Sequence, residues 1–281
     1  MSQFVEIDGF DLPAFVAATL AEDLGAGGDI TSAVTIPADA RLTATMASRD
    51  AVTLAGLPIA ELFFRALDPA CLLDRLVQDG DQVPPGTPLL RITGNARAVL
   101  AAERSALNTV QHLTGIATLT RAYVDAIAGT GATLLDTRKT LPGLRLLEKY
   151  ATKMGGATNH RLRLDDGVLI KDNHIAVAGS VRAAVAAAKA AGLTGIVVEV
   201  DTLDQIEPAL GAGADRLLLD NMPPPMLREA LALIAGRVPS EASGGVNLDT
   251  IRAIAETGVT YISVGRITQS APAADIGLDF G

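Results

Sequence analysis

Residues 133–175 read TLLDTRKTLPGLRLLEKYATKMGGATNHRLRLDDGVLIKDNHI. Two short apolar runs, residues 133–136 and 168–170, each end in charged side chains. The first leads into Thr137, Arg138 and Lys139, and the second into Lys171. Between them, after a segment of helical character, stand Asn159, His160 and Arg161. Arg138, Lys139, His160, Arg161 and Lys171 crowd potentially cationic groups into a short span of a chain whose formal net charge is -9. Such a concentration calls for a strongly anionic ligand or for many internal partners.

Downstream, strand-like and helix-like segments alternate. Strand-like segments at 196–200, 216–220, 241–243 and 261–264 continue the series begun at 133 and 168. Helical patterns fall at 180–191, 203–210, 225–234 and 248–257, and several stop at glycines (Gly192, Gly211, Gly258), as helix C-termini do. The strands are continuous apolar runs rather than alternating ones, the signature of parallel strands covered by helices. Six such strands predict an incomplete α/β barrel. Arg138, Lys139, Lys171, Glu199, Asp220, Ser243 and Gly265 all lie at or just past the carboxyl end of a strand, the edge on which α/β barrels build their sites. Singly, Glu199 also reads as a satisfied core carboxylate and Asp220 as a loop cap; together they point to one central pocket. Two glycine turns, Ser243-Gly244-Gly245-Val246-Asn247 before a helix starting near Leu248 and Ser263-Val264-Gly265-Arg266 after the last strand, can present backbone N–H groups to a phosphate.

Upstream, residues 10–23 have helical spacing and meet Gly25, Gly27 and Gly28, which read as a structural turn because no P-loop lysine–serine pair follows. Residues 33–95 read as mostly β, with a short helix over Leu57–Leu67 and turns at Asp79-Gly80 and Pro84-Pro85-Gly86; the alternation predicts a small sheet with one buried face. It is similar to the sandwich that carries biotin or lipoyl groups, but no lysine sits at the hairpin tip, so a carrier role is not expected. Residues 97–127 read as a helix interrupted or ended near Gly115. On it Arg104, Asn108 and Gln111 share a face, which is either a solvated surface or a reach toward a site. The tail at 275–280 alternates with period two and is expected to return as a strand to a sheet of the first domain. The expected domains are 1–115 and 116–272, with 273–281 rejoining the first.

Composition narrows the function classes. Apolar residues make up 49%, enough for a sizeable core, while aromatics make up only 3% with no tryptophan, so base-stacking platforms and aromatic sugar clamps are not expected. The acidic balance argues against a general nucleic-acid binder. A single cysteine, Cys71, rules out an internal disulfide and makes a reduced cytoplasm the default. The start has no basic region before an apolar run, so no secretory signal is expected, and no uncharged apolar stretch is long enough to span a membrane.

In order along the chain, ERSALN, LDTRKTLPGLR, EKYATKMGGATNHR, VLIKDNHI, VEVD, LLLDN, EASGG and YISVG resemble the nicotinate-nucleotide pyrophosphorylase (carboxylating), or quinolinate phosphoribosyltransferase, family, and the likeness runs from EDLGAGGDITS to DIGLDF. The resemblance implies an N-terminal α/β sandwich and a C-terminal incomplete barrel, assembled as a dimer or a multiple of one. It implies transfer of phosphoribosyl from phosphoribosyl pyrophosphate to quinolinate with Mg2+, giving nicotinate mononucleotide, pyrophosphate and carbon dioxide in NAD biosynthesis. Carried over, Thr137, Arg138, Lys139, His160, Arg161 and Lys171 form the quinolinate pocket, joined by Arg104 from the neighbouring subunit. Lys139, Glu199 and Asp220 are the catalytic set, with Glu199 and Asp220 facing the ribose and Mg2+. Ser243, Gly244, Gly245, Val264 and Gly265 hold phosphate. Arg266 and Gln269 depart from the family, which often has a small or apolar residue and a histidine there; the departures concern the phosphate end. Three other readings stand beside this one: a class I aldolase-like barrel with Lys171 or Lys139 as Schiff-base lysine, a diverged paralogue from molybdenum utilisation, and a non-enzymatic phosphate-ligand sensor.

Overall fold

The computed structural model describes residues 6–280. In chain order it contains α1 (Leu12–Leu24), α2 (Ile30–Thr35), β1 (Arg41–Ser48), β2 (Val52–Thr53), α3 (Leu57–Leu67), β3 (Leu72–Arg75), β4 (Gln82–Val83), β5 (Pro88–Asn95), α4 (Ala96–Ala126), β6 (Thr133–Leu135), α5 (Arg145–Met154) and β7 (Leu169–Ile170). It continues with α6 (Asp172–Ala178), α7 (Val181–Ala190), β8 (Val197–Val200), a 3-10 turn (Leu203–Gln205), α8 (Ile206–Ala212), β9 (Arg216–Asp220), α9 (Pro224–Ile234), β10 (Ser240–Ser243), α10 (Ile251–Ala255), β11 (Tyr261–Ser263), α11 (Arg266–Gln269) and β12 (Ile276–Phe280). Two compact units result: one holds the chain up to Arg121 with Gly143–Gly156 and the segment from Ser270, the other Ala122–Pro142 and Ala157–Gln269. The segment 143–156, read from sequence as part of the barrel half, thus groups with the first unit.

The first unit is built on an antiparallel sheet in the order β12-β1-β5-β3, with a β2–β4 pair beside it. The tail strand pairs with β1, Met46 opposite Leu278. Leu57, Ile59, Phe63 and Phe64 of α3 are all buried in the core of this unit, each contributing on the order of 1.5–3 kcal/mol through burial. The start of α3 is capped from a distance: Asp79 accepts from Gly56 N at 2.6 Å and Leu57 N at 3.1 Å. The Tyr150 hydroxyl donates to the same carboxylate at 2.6 Å. Burial pushes the Asp79 carboxyl up, against these three donors. On α5, Tyr150 therefore works as a brace for α3, and its neighbour Glu148 meets His112 Nε2 at 2.9 Å. The EKYATKM stretch has its physical reason here, in buried polar pairs that must stay matched.

Two sequence expectations are corrected. Helix α4 runs unbroken through Gly115. A Cβ at that position would stand 2.0 Å from the Pro272 carbonyl oxygen, so the glycine marks a close backbone approach instead of a helix end. We expect Gly115→Ala to cost at least about 1–3 kcal/mol through overpacking, read as a lowered midpoint in thermal unfolding. Helix α2, whose last three residues enter the stretch read as β, forms because Asp29 accepts from Ser32 N at 3.0 Å as an N-cap. It leaves Ile30 and Val34 exposed, so no buried periodicity announced it.

The second unit carries a six-stranded parallel sheet in the order β6-β11-β10-β9-β8-β7. Consecutive strands are neighbours except β6 and β7, where the barrel is open. Residue Thr158 partly covers the free edge of β6: its N–H donates to Leu134 O at 2.9 Å and its carbonyl accepts from Asp136 N at 3.3 Å. Helix α10 starts at Ile251, three residues later than expected, and is only five residues long. Asn247 Oδ1 accepts from Asp249 N at 2.9 Å and Thr250 N at 3.1 Å, turning the chain before the helix can begin.

Candidate active site

The side chains that follow the parallel strands converge on a cavity of about 510 Å3 in the second unit. Its cationic wall comes from Arg138 and Lys139 after β6, Arg161 after Thr158, and Lys171 after β7. Its anionic wall comes from Glu199 on β8 and Asp220 at the end of β9. Ser243, Gly244 and Gly245 after β10, and Val264 and Gly265 after β11, close the rim with Thr137, His160, Arg266 and Gln269. In-register parallel pairing brings these positions level: Ser243 lies opposite Asp220 across the β9–β10 ladder.

The charges are not free to wander. Lys171 Nζ donates to Glu199 Oε2 at 2.6 Å, and the Glu199 side chain is 8% exposed. Burial pushes Asp220 up, as does the neighbouring Asp201 charge, while Lys171 and Lys139 pull it back. Burial and the nearby Arg138 cation both lower the Arg161 pKa, so two guanidiniums share a desolvated wall. Arg161 Nη1 donates to Gly167 O at 2.9 Å, which fixes the direction of the fork. The Arg138 Nε is buried with no hydrogen-bond partner among the described residues. Unmatched buried cationic N–H groups are costly, and a carboxylate ligand would satisfy them bidentately. Beneath them Asp136, fully buried, accepts from Asn159 Nδ2 at 2.6 Å and His160 N at 2.8 Å, tying the 159–161 segment to β6.

The glycine turns are open for backbone contacts because a side chain would not fit. Gly244 has φ 89°, and a Cβ there would meet Asn221 Oδ1 at 2.1 Å. Asn221 itself adopts φ 54° and donates from its backbone N–H to Ser243 O at 2.8 Å, locking the two strand ends together. At Gly265 a Cβ would come within 2.6 Å of Lys139 Cδ. Gly265→Ala should therefore leave the fold intact but displace Lys139, lowering kcat/KM by about tenfold to a hundredfold. Steady-state assay beside a thermal melt separates the two effects.

Arg104 is the sequence-selected residue absent from this cavity: it is exposed on α4 in the first unit and makes no hydrogen bond or ion pair among the described residues. Two acidic residues escaped the sequence reading. Asp201 offers a carboxylate oxygen that lies, with one each from Glu199 and Asp220, within 4.8 Å of the others. Its signal was the i+2 spacing from Glu199, which keeps both on one side of a strand. Glu241 lines the cavity and is fully buried; it heads the strand segment 241–243 and the EASGG stretch, but no residue close in sequence names its partners.

An open parallel barrel whose strand ends gather cations, carboxylates and two glycine turns around one cavity is the architecture of a barrel enzyme acting on phosphorylated, multiply anionic substrates. The family profile "Quinolinate phosphoribosyl transferase, C-terminal domain" matches residues 116–279, and the corresponding N-terminal domain profile matches residues 29–114. The chain is similar to a nicotinate-nucleotide pyrophosphorylase [carboxylating] of Mycobacterium leprae, 45% identical over 267 residues that cover 92% of this chain and 94% of that protein. A chloroplastic nicotinate-nucleotide pyrophosphorylase [carboxylating] of Oryza sativa subsp. japonica is 41% identical over 289 residues, covering 96% of this chain and 77% of that one. Among solved structures, the nicotinate-nucleotide pyrophosphorylase from Francisella tularensis superposes with a TM-score of 0.92 at 38% identity, covering 99% of this chain and 100% of that one. The chain belongs to the quinolinate phosphoribosyltransferase family and is a transferase.

Proposed function

We propose that this cavity joins the ring nitrogen of quinolinate to the anomeric carbon of phosphoribosyl pyrophosphate, yielding nicotinate mononucleotide, pyrophosphate and carbon dioxide in NAD biosynthesis. The observation that carries the reading is the opposition of a cationic wall (Arg138, Lys139, Arg161, Lys171) to a carboxylate pair (Glu199, Asp220) in one cavity. Arg138 and Arg161 suit the two ring carboxylates, because guanidiniums pair with carboxylates through parallel hydrogen bonds. Lys139 and Lys171 add compact positive charge toward carboxylate and pyrophosphate. Thr137 and His160 complete that end. Ser243, Gly244, Gly245, Val264 and Gly265 offer the 5-phosphate a cradle of backbone N–H groups.

In the reaction the nitrogen lone pair forms the N–C bond while the bond from the anomeric carbon to oxygen breaks, its electron pair leaving with pyrophosphate. No general base is required. The sugar passes through a cation-like state, and Glu199 and Asp220 are placed to stabilise it electrostatically. The bond to the ring 2-carboxylate then breaks, the electron pair stabilised beside the positive ring nitrogen, and C2 takes a proton.

The carboxylates fit Mg2+: Glu199, Asp201 and Asp220 form a hard-oxygen cluster, and the repulsion that raises Asp220 alongside its burial is relieved by a dication. Bound there, Mg2+ would supply counter-charge for pyrophosphate. We further place Arg104 across a homodimer interface, since an exposed arginine without a partner is suited to complete a neighbour's anion site, and we place the protein in the cytoplasm, where the unpaired Cys71 stays reduced. No helix of the described residues is long and apolar enough to cross a membrane. The aldolase-like alternative is disfavoured because Lys171 is engaged as a cation with Glu199, whereas Schiff-base attack needs a free amine. Incubation of the purified protein with quinolinate, phosphoribosyl pyrophosphate and Mg2+ should release nicotinate mononucleotide and carbon dioxide in equal amounts. A protein that leaves both substrates unchanged, with its fold verified, would refute the reading.

A further inference from the structure

The barrel interior below the cavity is a chain of charged and polar contacts. Glu241 of β10 is fully buried. Its Oε2 accepts from Arg216 Nη1 at 3.2 Å and lies 3.5 Å from His160 Nε2. The Arg216 guanidinium in turn lies 4.2 Å above the Tyr261 ring. The other oxygen, Oε1, is buried with no hydrogen-bond partner among the described residues. Burial would raise the Glu241 pKa, but His160, Ser263 and Arg216 hold it below the ordinary carboxylate range, so the group is an anion. On the far side of the imidazole, His160 Nδ1 accepts the backbone N–H of Arg161 at 2.8 Å. A ring nitrogen that accepts carries no hydrogen, so the ring hydrogen resides on Nε2, facing Glu241.

We propose that Glu241 is a positioning residue for the acceptor end of the site: backed by Arg216 and Tyr261, it fixes the tautomer and plane of His160, and through Nδ1 fixes the backbone of Arg161. The segment 159–161 already hangs from Asp136 by His160 N and Asn159 Nδ2. Those bonds hold the backbone of the segment; Glu241, 3.5 Å from Nε2, faces the imidazole itself. The arrangement is that of a carboxylate orienting a functional histidine, with the reacting partner replaced by a backbone amide. A barrel floor that merely stabilised the fold would have no reason to connect an anion to the residue preceding Arg161. The substrate side of the proposal rests on the quinolinate reading; the tautomer side does not.

The chain has three histidines, so 15N-histidine spectra are readily assigned with His160→Gln as reference. Wild-type protein should show His160 with hydrogen on Nε2 and none on Nδ1, as the backbone N–H donated to Nδ1 requires. Glu241→Leu should lose that single state and raise the KM for quinolinate about tenfold or more, while the KM for phosphoribosyl pyrophosphate changes less than about threefold. Glu241→Gln should keep the tautomer and hold the quinolinate KM within about threefold: its carbonyl takes the place of Oε2, and its amide NH2 falls where Oε1 has no donor to lose. Should Glu241→Leu fail to fold, Glu241→Asp carries the same test, because withdrawing the carboxylate by one methylene releases His160 while keeping the charge. A wild-type His160 with hydrogen on Nδ1 would overturn the proposal, as would a well-folded Glu241→Leu with an unchanged spectrum or with both KM values raised alike. Absence of turnover on quinolinate in wild-type protein would refute the functional reading, and the spectra would still decide the role of Glu241.

Discussion

Arg161→Ala should lower kcat/KM for quinolinate by about 2–5 kcal/mol, roughly 30-fold to 5000-fold, with little change in the thermal midpoint. The size of the effect follows from the wall the residue belongs to. Arg161 is desolvated and shares its surroundings with Arg138, so the empty site stores repulsion that a dicarboxylate releases. Removing one guanidinium leaves a ligand carboxylate buried beside a gap, and the penalty of that unpaired charge exceeds the worth of the hydrogen bonds alone. The fold should tolerate the change, because the only hydrogen bond from the Arg161 side chain among the described residues is to the Gly167 carbonyl. Steady-state kinetics on Arg161→Ala with near-wild-type turnover would remove Arg161 from the substrate end.

Arg104→Ala and Lys139→Ala, each nearly inactive alone, should recover about a quarter of wild-type activity when mixed in equal amounts and allowed to exchange subunits. Random pairing makes about half of the dimers hybrids, and in a hybrid one of its two sites combines an intact Lys139 with an intact Arg104 from the partner subunit. A site drawing both residues from one chain would show no recovery, and that result, with exchange verified by mass, would return Arg104 to the surface role that its exposure alone also permits.

Much of the second unit could be read from sequence because strand ends and site positions coincide there. The run at Arg216–Asp220 is an uninterrupted strand closed by a carboxylate, and its edges were visible in the residues themselves. Arg138, Lys171, Glu199 and Ser243 share the same relation to their strands, and parallel in-register pairing turns that shared relation into a shared cavity. What periodicity cannot supply is the partner of an element. Helix α5 has a clear amphipathic pattern, yet nothing in it says that Tyr150 will brace α3 by way of Asp79. Gly115 looked like a helix stop because the backbone of Pro272, far along the chain, was not yet beside it. Glu241 was hidden for the same reason: Arg216, Tyr261 and His160 reach it from other strands and loops, and only the register of β9, β10 and β11 brings them together.

The account turns on whether the strand-end cations of the second unit seat a pyridine dicarboxylate, and diffraction from crystals soaked in quinolinate tests that most directly. The account predicts electron density for the ring inside the cavity, with its carboxylates against Arg138 and Arg161 and within reach of Lys139 or Lys171. Density for the diacid elsewhere on the protein, with Arg138 and Arg161 left facing water at saturating ligand, would contradict it.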